Sequence, residues 1–158
     1  MPKQFKGLLL LCEIAGALLL AGCPLQVGKA GTPPYAITKP VYRIAGPDDV
    51  CSLGGIFFDF YNKTEKEVVF IETCMSVFNT NTGQLAFDGA GGLISGANCK
   101  IVKNQKKNLC IPLDDYLLQM ENPSLCADNF FIKQIKYADG SSWQDKTGTY
   151  AYYYEKEA

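Results

Sequence analysis

The sequence predicts an all-β fold, an antiparallel β-sandwich with at most one short helix. Residues 56–61 and 67–79 are rich in β-branched and aromatic side chains and alternate with a period of two. Turn signals recur at roughly ten-residue spacing from Asn62 to Gly140, the rhythm of short strands in a sandwich. Only DDYLLQM, residues 114–120, has a helical pattern, and it is long enough for one or two turns.

The stretch before the strands, PLQVGKAGTPPYAITKP at 24–40, holds four prolines and two glycines and reads as a semi-extended tether. Tyr35-Ala36-Ile37 is the part of it able to dock as an irregular strand. In the first long run Ile56, Phe58 and Phe60 face one way, with Phe57, Asp59 and Tyr61 opposite. The polar turn at 62–66 predicts a hairpin into the second run, where Val69, Ile71, Thr73, Met75 and Val77 share a face. Phe70 and Phe78 lie on its more polar side, so this strand is expected to be central and covered on both faces. Asn79 to Gly83 is a turn by composition, Leu85-Ala86-Phe87 a short strand, and 89–92 a glycine-rich loop without phosphate-binding spacing. Residues 99–102 and 109–113 flank a polar turn and predict a second hairpin. In the helical stretch Asp114 is placed to cap, with Tyr116, Leu117 and Met120 on one face. FFIKQIKYADGSSWQD then gives a strand through Tyr137, a reversal at the Asp-Gly pair and Trp143 on the return.

The N-terminal residues add a location. Lys3 and Lys6 precede an apolar run at 7–20, and Ala21-Gly22 leads into Cys23, the order of an export signal. The run is about 14 residues where about 20 are needed to span a membrane, and Glu13 sits inside it. Leu20-Ala21-Gly22-Cys23 resembles a bacterial lipobox. The resemblance implies a small bacterial envelope lipoprotein, cleaved before Cys23 and lipidated on its thiol. Two or three acyl chains, such as palmitate, anchor a soluble domain firmly where one does not. Pro24 stands where an inner-membrane retention signal would carry Asp, so the expected location is the outer membrane or cell surface. Cys12 would leave with the signal. The expected division is therefore 1–22 signal peptide, 23–40 lipidated cysteine and tether, and 41–158 β-sandwich. Within that domain, FFDFYNKTEKEVVFIETCMSVFNTNTG resembles the paired strands of immunoglobulin-like or fibronectin-like domains of bacterial envelope proteins, and IKQIKYADGSSWQ is similar to their closing hairpin. This implies an immunoglobulin-like β-sandwich.

Loss of residues 1–22 from the 158 leaves 136, enough for one domain. Without Lys3, Lys6 and Glu13, the 15 basic and 16 acidic residues become 13 and 15, a formal charge of −2. That balance gives no electrostatic case for nucleic acid, and the patch Lys100, Lys103, Lys106 and Lys107 reads as a solvated turn. The chain has no histidine, which removes the commonest general base and metal ligand together. The acidic pairs Asp48-Asp49 and Asp114-Asp115 have no flanking pattern that sets two carboxyls across a cleft. No cofactor, metal or catalytic residue is expected, and the chain reads as a non-enzyme.

Five cysteines follow Cys23: Cys51, Cys74, Cys99, Cys110 and Cys126. Outside the cytoplasm they predict two disulfides and one thiol. The hairpin at 99–113 sets Cys99 opposite Cys110 and makes that the candidate disulfide, a closure that stabilises by about 3 kcal/mol. Cys51 with Cys126 is the second pairing considered, with Cys74 left buried and free. No CxxC spacing supports zinc. Tyr150, Tyr152, Tyr153 and Tyr154 form a candidate recognition strip, because four tyrosines in five positions cannot all point inward. These features together describe a lipid-anchored envelope protein whose sandwich binds a protein or glycan partner; an accessory subunit of an envelope complex is the alternative. Intact mass and membrane partition test the anchor. The exported product should match residues 23–158 plus acyl chains, and Cys23→Ser should abolish partition; an unlipidated, released wild-type product would refute it.

Overall fold

The computed structural model describes residues 31–87, 92–121 and 123–154. The expected export signal, Cys23, most of the expected tether and the glycines at 89 and 91 lie outside the described residues. The strands are β1 (Tyr35–Ile37), β2 (Val41–Ile44), β3 (Gly54–Asn62), β4 (Val68–Asn79), β5 (Leu93–Ile101), β6 (Lys106–Pro112), β7 (Leu125–Tyr137) and β8 (Ser142–Gln144). One helical turn, α1 (Asp114–Leu117), precedes β7.

The fold is an all-β sandwich of two antiparallel sheets. In one sheet β3 is central, with β1 and β2 end to end along one edge and β6 along the other. The second sheet runs β5-β4-β7-β8. In the lettering of immunoglobulin-like sandwiches, with β1 and β2 together as A, these are A-B-E against C′-C-F-G.

Alternation places the core. Ile56, Phe58 and Phe60 on β3 are buried inward, and Phe58 meets Phe130 of β7 edge-on at 4.9 Å, joining the sheets. On β4 Ile71, Thr73, Met75 and Val77 are buried as their spacing predicts. An irregularity between Val68 and Phe70 turns Val68 inward in place of the expected Val69. A second irregularity between Cys74 and Ser76 faces Asn129, whose φ of 50° is the left-handed conformation of an extra strand residue. It lets Ala127 and Phe130, three positions apart, both face the core.

One flank of the sandwich is closed. Tyr35 of β1 stacks on Phe60 at 5.5 Å and meets Trp143 of β8 edge-on at 5.4 Å. Across the molecule, the flank between edge strands β5 and β6 holds an apolar groove of about 190 Å³ above Phe58 and Ile71. Val50, 87% exposed, stands at its lip.

Several expectations need correction. The turn at 62–66 is no hairpin, because β3 and β4 belong to different sheets and the chain crosses between them. The same holds for 99–113, where β5 pairs β4 and β6 pairs β3. Turn composition is alike in hairpins and crossovers, so it could not distinguish them. Tyr35–Ile37, the part of the tether able to dock, is a regular strand paired with β3. Leu85 makes one bridge to Phe78 rather than a strand. Asp114 does not cap α1, whose N-cap is Leu113. Its carboxylate instead accepts the backbone N–H groups of Ser52 and Leu53 at 2.8 and 2.7 Å.

Both crossovers meet at Asn62, which is 1% exposed. Its Nδ2 donates to the carbonyls of Lys66 and Ile101 at 2.8 and 3.0 Å, and its Oδ1 accepts from the Thr64 N–H at 3.0 Å. Its backbone N–H donates to Gln105, and its carbonyl accepts from Asn104. Asn62→Ala strands these buried groups and is expected to cost about 2–4 kcal/mol in urea denaturation. A loss below about 1 kcal/mol would show that the two crossings are held by other contacts.

Candidate functional site

After β8 the chain folds back over the outer face of the second sheet, and one carboxylate organises the return. Asp145 is 4% exposed and accepts backbone N–H groups from Thr147, Thr149 and Tyr150 at 3.2, 3.0 and 3.0 Å. Burial alone would push its carboxyl up; the N–H groups of Tyr150, Thr149, Thr147 and Gly148 outweigh this and hold it below the usual carboxylate range. Within the loop Gly148 has φ of 70°, and a Cβ there would lie 3.2 Å from the Phe131 ring that the loop covers.

Beyond this loop the tyrosine strip divides. Tyr150 leans on Trp143, with ring centroids 6.1 Å apart. Tyr152 pairs with Phe130 through backbone bonds of 2.7 and 2.9 Å and packs against the core. Tyr153 and Tyr154 point outward, 62% and 38% exposed. The Tyr154 N–H donates to Asp128 Oδ1 at 2.8 Å, and the Lys39 ammonium lies 5.8 Å from its ring centroid.

Tyr154 forms one wall of a cleft of about 230 Å³. Phe78 and Cys126, cross-strand partners on β4 and β7, lie in it with Asp128, while Asn79 and Thr80 bring polar groups from the turn. The turn keeps its shape because Asn79 Oδ1 accepts the Asn81 N–H at 2.9 Å and Thr80 bonds Ser124 at 2.6 Å. The arrangement offers an aromatic wall, an apolar floor and hydrogen-bonding groups at the rim. Burial and the Asp128 carboxylate push the Cys126 thiol above its ordinary pKa, so at neutral pH it is a protonated, apolar lining group.

No protein-family model matches the chain, and neither a curated protein nor a solved structure matches it.

Of the other predicted site residues, Cys23 lies outside the described residues. Cys99 and Cys110 are not brought together by a hairpin. Cys99 shares the inward side of β5 with Ala97, and Cys110 is paired with the outward Phe57 on β6. The Cys110 sulfur instead lies 3.2 Å from that of Cys51, which also displaces the Cys51–Cys126 pairing. Phe78 and Asp128 were not anticipated as site residues. The available signal was Phe78 on the polar side of its strand; Asp128 carries none, because its role depends on a tail that pairs 26 residues later.

Asp145→Asn should loosen the tail and cost about 2 kcal/mol at neutral pH, read by thermal melts. The folded pKa is depressed, so the carboxylate's contribution is full above the unfolded value of about 4 and is lost as pH falls through the folded pKa. The gap between wild type and variant should therefore be constant from pH 7 to about 5 and shrink below about 4; a gap that widens on acidification would reverse the assignment.

Proposed function

We propose that the chain is a lipid-anchored, non-enzymatic envelope protein whose β-sandwich binds a protein or glycan partner at the tyrosine-walled cleft. The observation that carries this reading is Tyr153 and Tyr154 exposed beside the cleft, held there by a backbone bond to Asp128. Exposed tyrosines supply large contact area at low conformational cost, and their rings suit both sugar faces and peptide side chains. The export signal and lipobox at the N-terminus support the placement at a bacterial membrane. The accessory-subunit reading has its own support in the edges of β5 and β6, where a partner's strand could add to either sheet.

Arrays of glycans and envelope proteins probed with the chain should yield a saturable partner. Tyr153→Ala/Tyr154→Ala should weaken that binding by about 30-fold or more, equivalent to about 2 kcal/mol. Binding unchanged by the double substitution would move the site away from the cleft. A partner from the same envelope, bound through the β5 or β6 edge, would favour the accessory subunit.

A further inference from the structure

Cys51 and Cys110 are 59 residues apart in sequence, yet their sulfurs lie 3.2 Å apart on the outer face of the first sheet. Two independent arrangements bring them there. Cys110 occupies space left by Gly55 on the neighbouring strand, where a Cβ would lie 2.7 Å from its sulfur. Cys51, 3% exposed, comes from the loop between β2 and β3. That loop is clamped at one end by the Arg43–Asp49 pair, with bonds of 2.5 and 2.8 Å, and at the other by Asp114 on the Ser52 and Leu53 N–H groups. The Arg43 guanidinium lies 3.4 Å from the Phe57 ring centroid and holds the loop's first anchor against the sheet.

The other described cysteines are placed elsewhere. Cys99 is on the inward side of β5, and Cys74 and Cys126 are on the second sheet. Cys74 and the cross-strand partner of Cys126, Phe78, are four positions apart on β4, about 13 Å, beyond the reach of a disulfide.

We propose that Cys51 and Cys110 form a disulfide that staples the β2–β3 loop to the outer face of the first sheet. Two S–H bonds break and one S–S bond forms. The two electrons and two protons pass to an exchange disulfide, such as glutathione disulfide, which leaves as two thiols. The sulfurs need to approach by about 1 Å to reach bonding distance. Burial, the neighbouring Cys51 and Asp49 push the Cys110 thiol up to about 12, with Arg43 opposing, so in the closed loop it is a poor nucleophile. Exchange therefore takes place while the loop is still open during folding, and closure shields the product from reductant. The bridge fixes Val50 beside the open flank through its neighbour Cys51.

The test is to refold the reduced full chain in a glutathione and glutathione disulfide mixture, alkylate the remaining thiols and map the unreduced peptides with chymotrypsin. Tyr116 provides a cut between Cys110 and Cys126. The expected result is one linked pair carrying Cys51 and Cys110, with Cys12, Cys23, Cys74, Cys99 and Cys126 alkylated. Linkage among other cysteines, or alkylation of both Cys51 and Cys110, would overturn the proposal. The oxidant is supplied in the tube, so the outcome is independent of the compartment proposed above. Melting gives a second readout. Reductant should lower the Tm by roughly 10–15 °C in the oxidised wild type. Cys51→Ser, Cys110→Ser and the double variant should share one reductant-insensitive Tm; additive losses would mean two packed thiols with no bond.

Discussion

The two sheets depend on a single buried amide. Asn62 closes β3, and its side chain and backbone bond two of the three segments in which the chain passes from one sheet to the other, at 62–66 and at 102–105. A buried carboxamide is costly unless nearly all of its donors and acceptors are satisfied, and here they are satisfied by groups that meet only if both crossovers are correctly made. The core then follows from alternation. With β3 and β4 directed into opposite sheets, Ile56, Phe58 and Phe60 face Ile71, Met75 and Val77, and Phe130 completes the layer against Phe58.

Much of this was legible in the sequence, and the part that was not has one cause. The alternations of β3 and of β4 from Ile71 onward, the β7–β8 reversal at Asp-Gly and the helical turn α1 are local properties, and each appears where its residues place it. Partner choice is not local. Asn, Lys, Thr and Glu suit a crossover as well as a hairpin, so β3 with β4 and β5 with β6 read as neighbours when they lie in different sheets. Cys99 opposite Cys110 was a consequence of β5 pairing with β6, and once they separate, the thiol nearest Cys110 comes from a loop 59 residues away. At the candidate site the exposed halves of the tyrosine strip were readable as a surplus of aromatics, while the cleft beside them needed the tail's route.

That route shows how the chain uses its acidic residues. Asp49, Asp114, Asp128 and Asp145 each accept backbone N–H groups, and three of them fasten an irregular segment to a strand or helix far from it in sequence or across a tight loop. Asp114 lies below the usual carboxylate range because of the Ser52 and Leu53 N–H groups, and Asp49 does so chiefly because of Arg43. In a chain without histidine, these four carboxylates are thus occupied with holding loops. They position the Cys51 loop and the tyrosine tail, the two irregular segments on which the binding and cross-linking proposals rest.

The closed flank has a mechanical consequence. A pull applied to the backbone where it enters β1 loads that strand first, and three ladder residues alone would peel from β3 at low force. Tyr35 changes how that load is borne. Its ring is stacked on Phe60 of one sheet and abuts Trp143 of the other, so extracting it must break contacts in both sheets at once. A short first strand thereby acts as a toggle bolt, and the domain resists traction on its leading end through one aromatic side chain more than through the length of its hydrogen-bonded ladder.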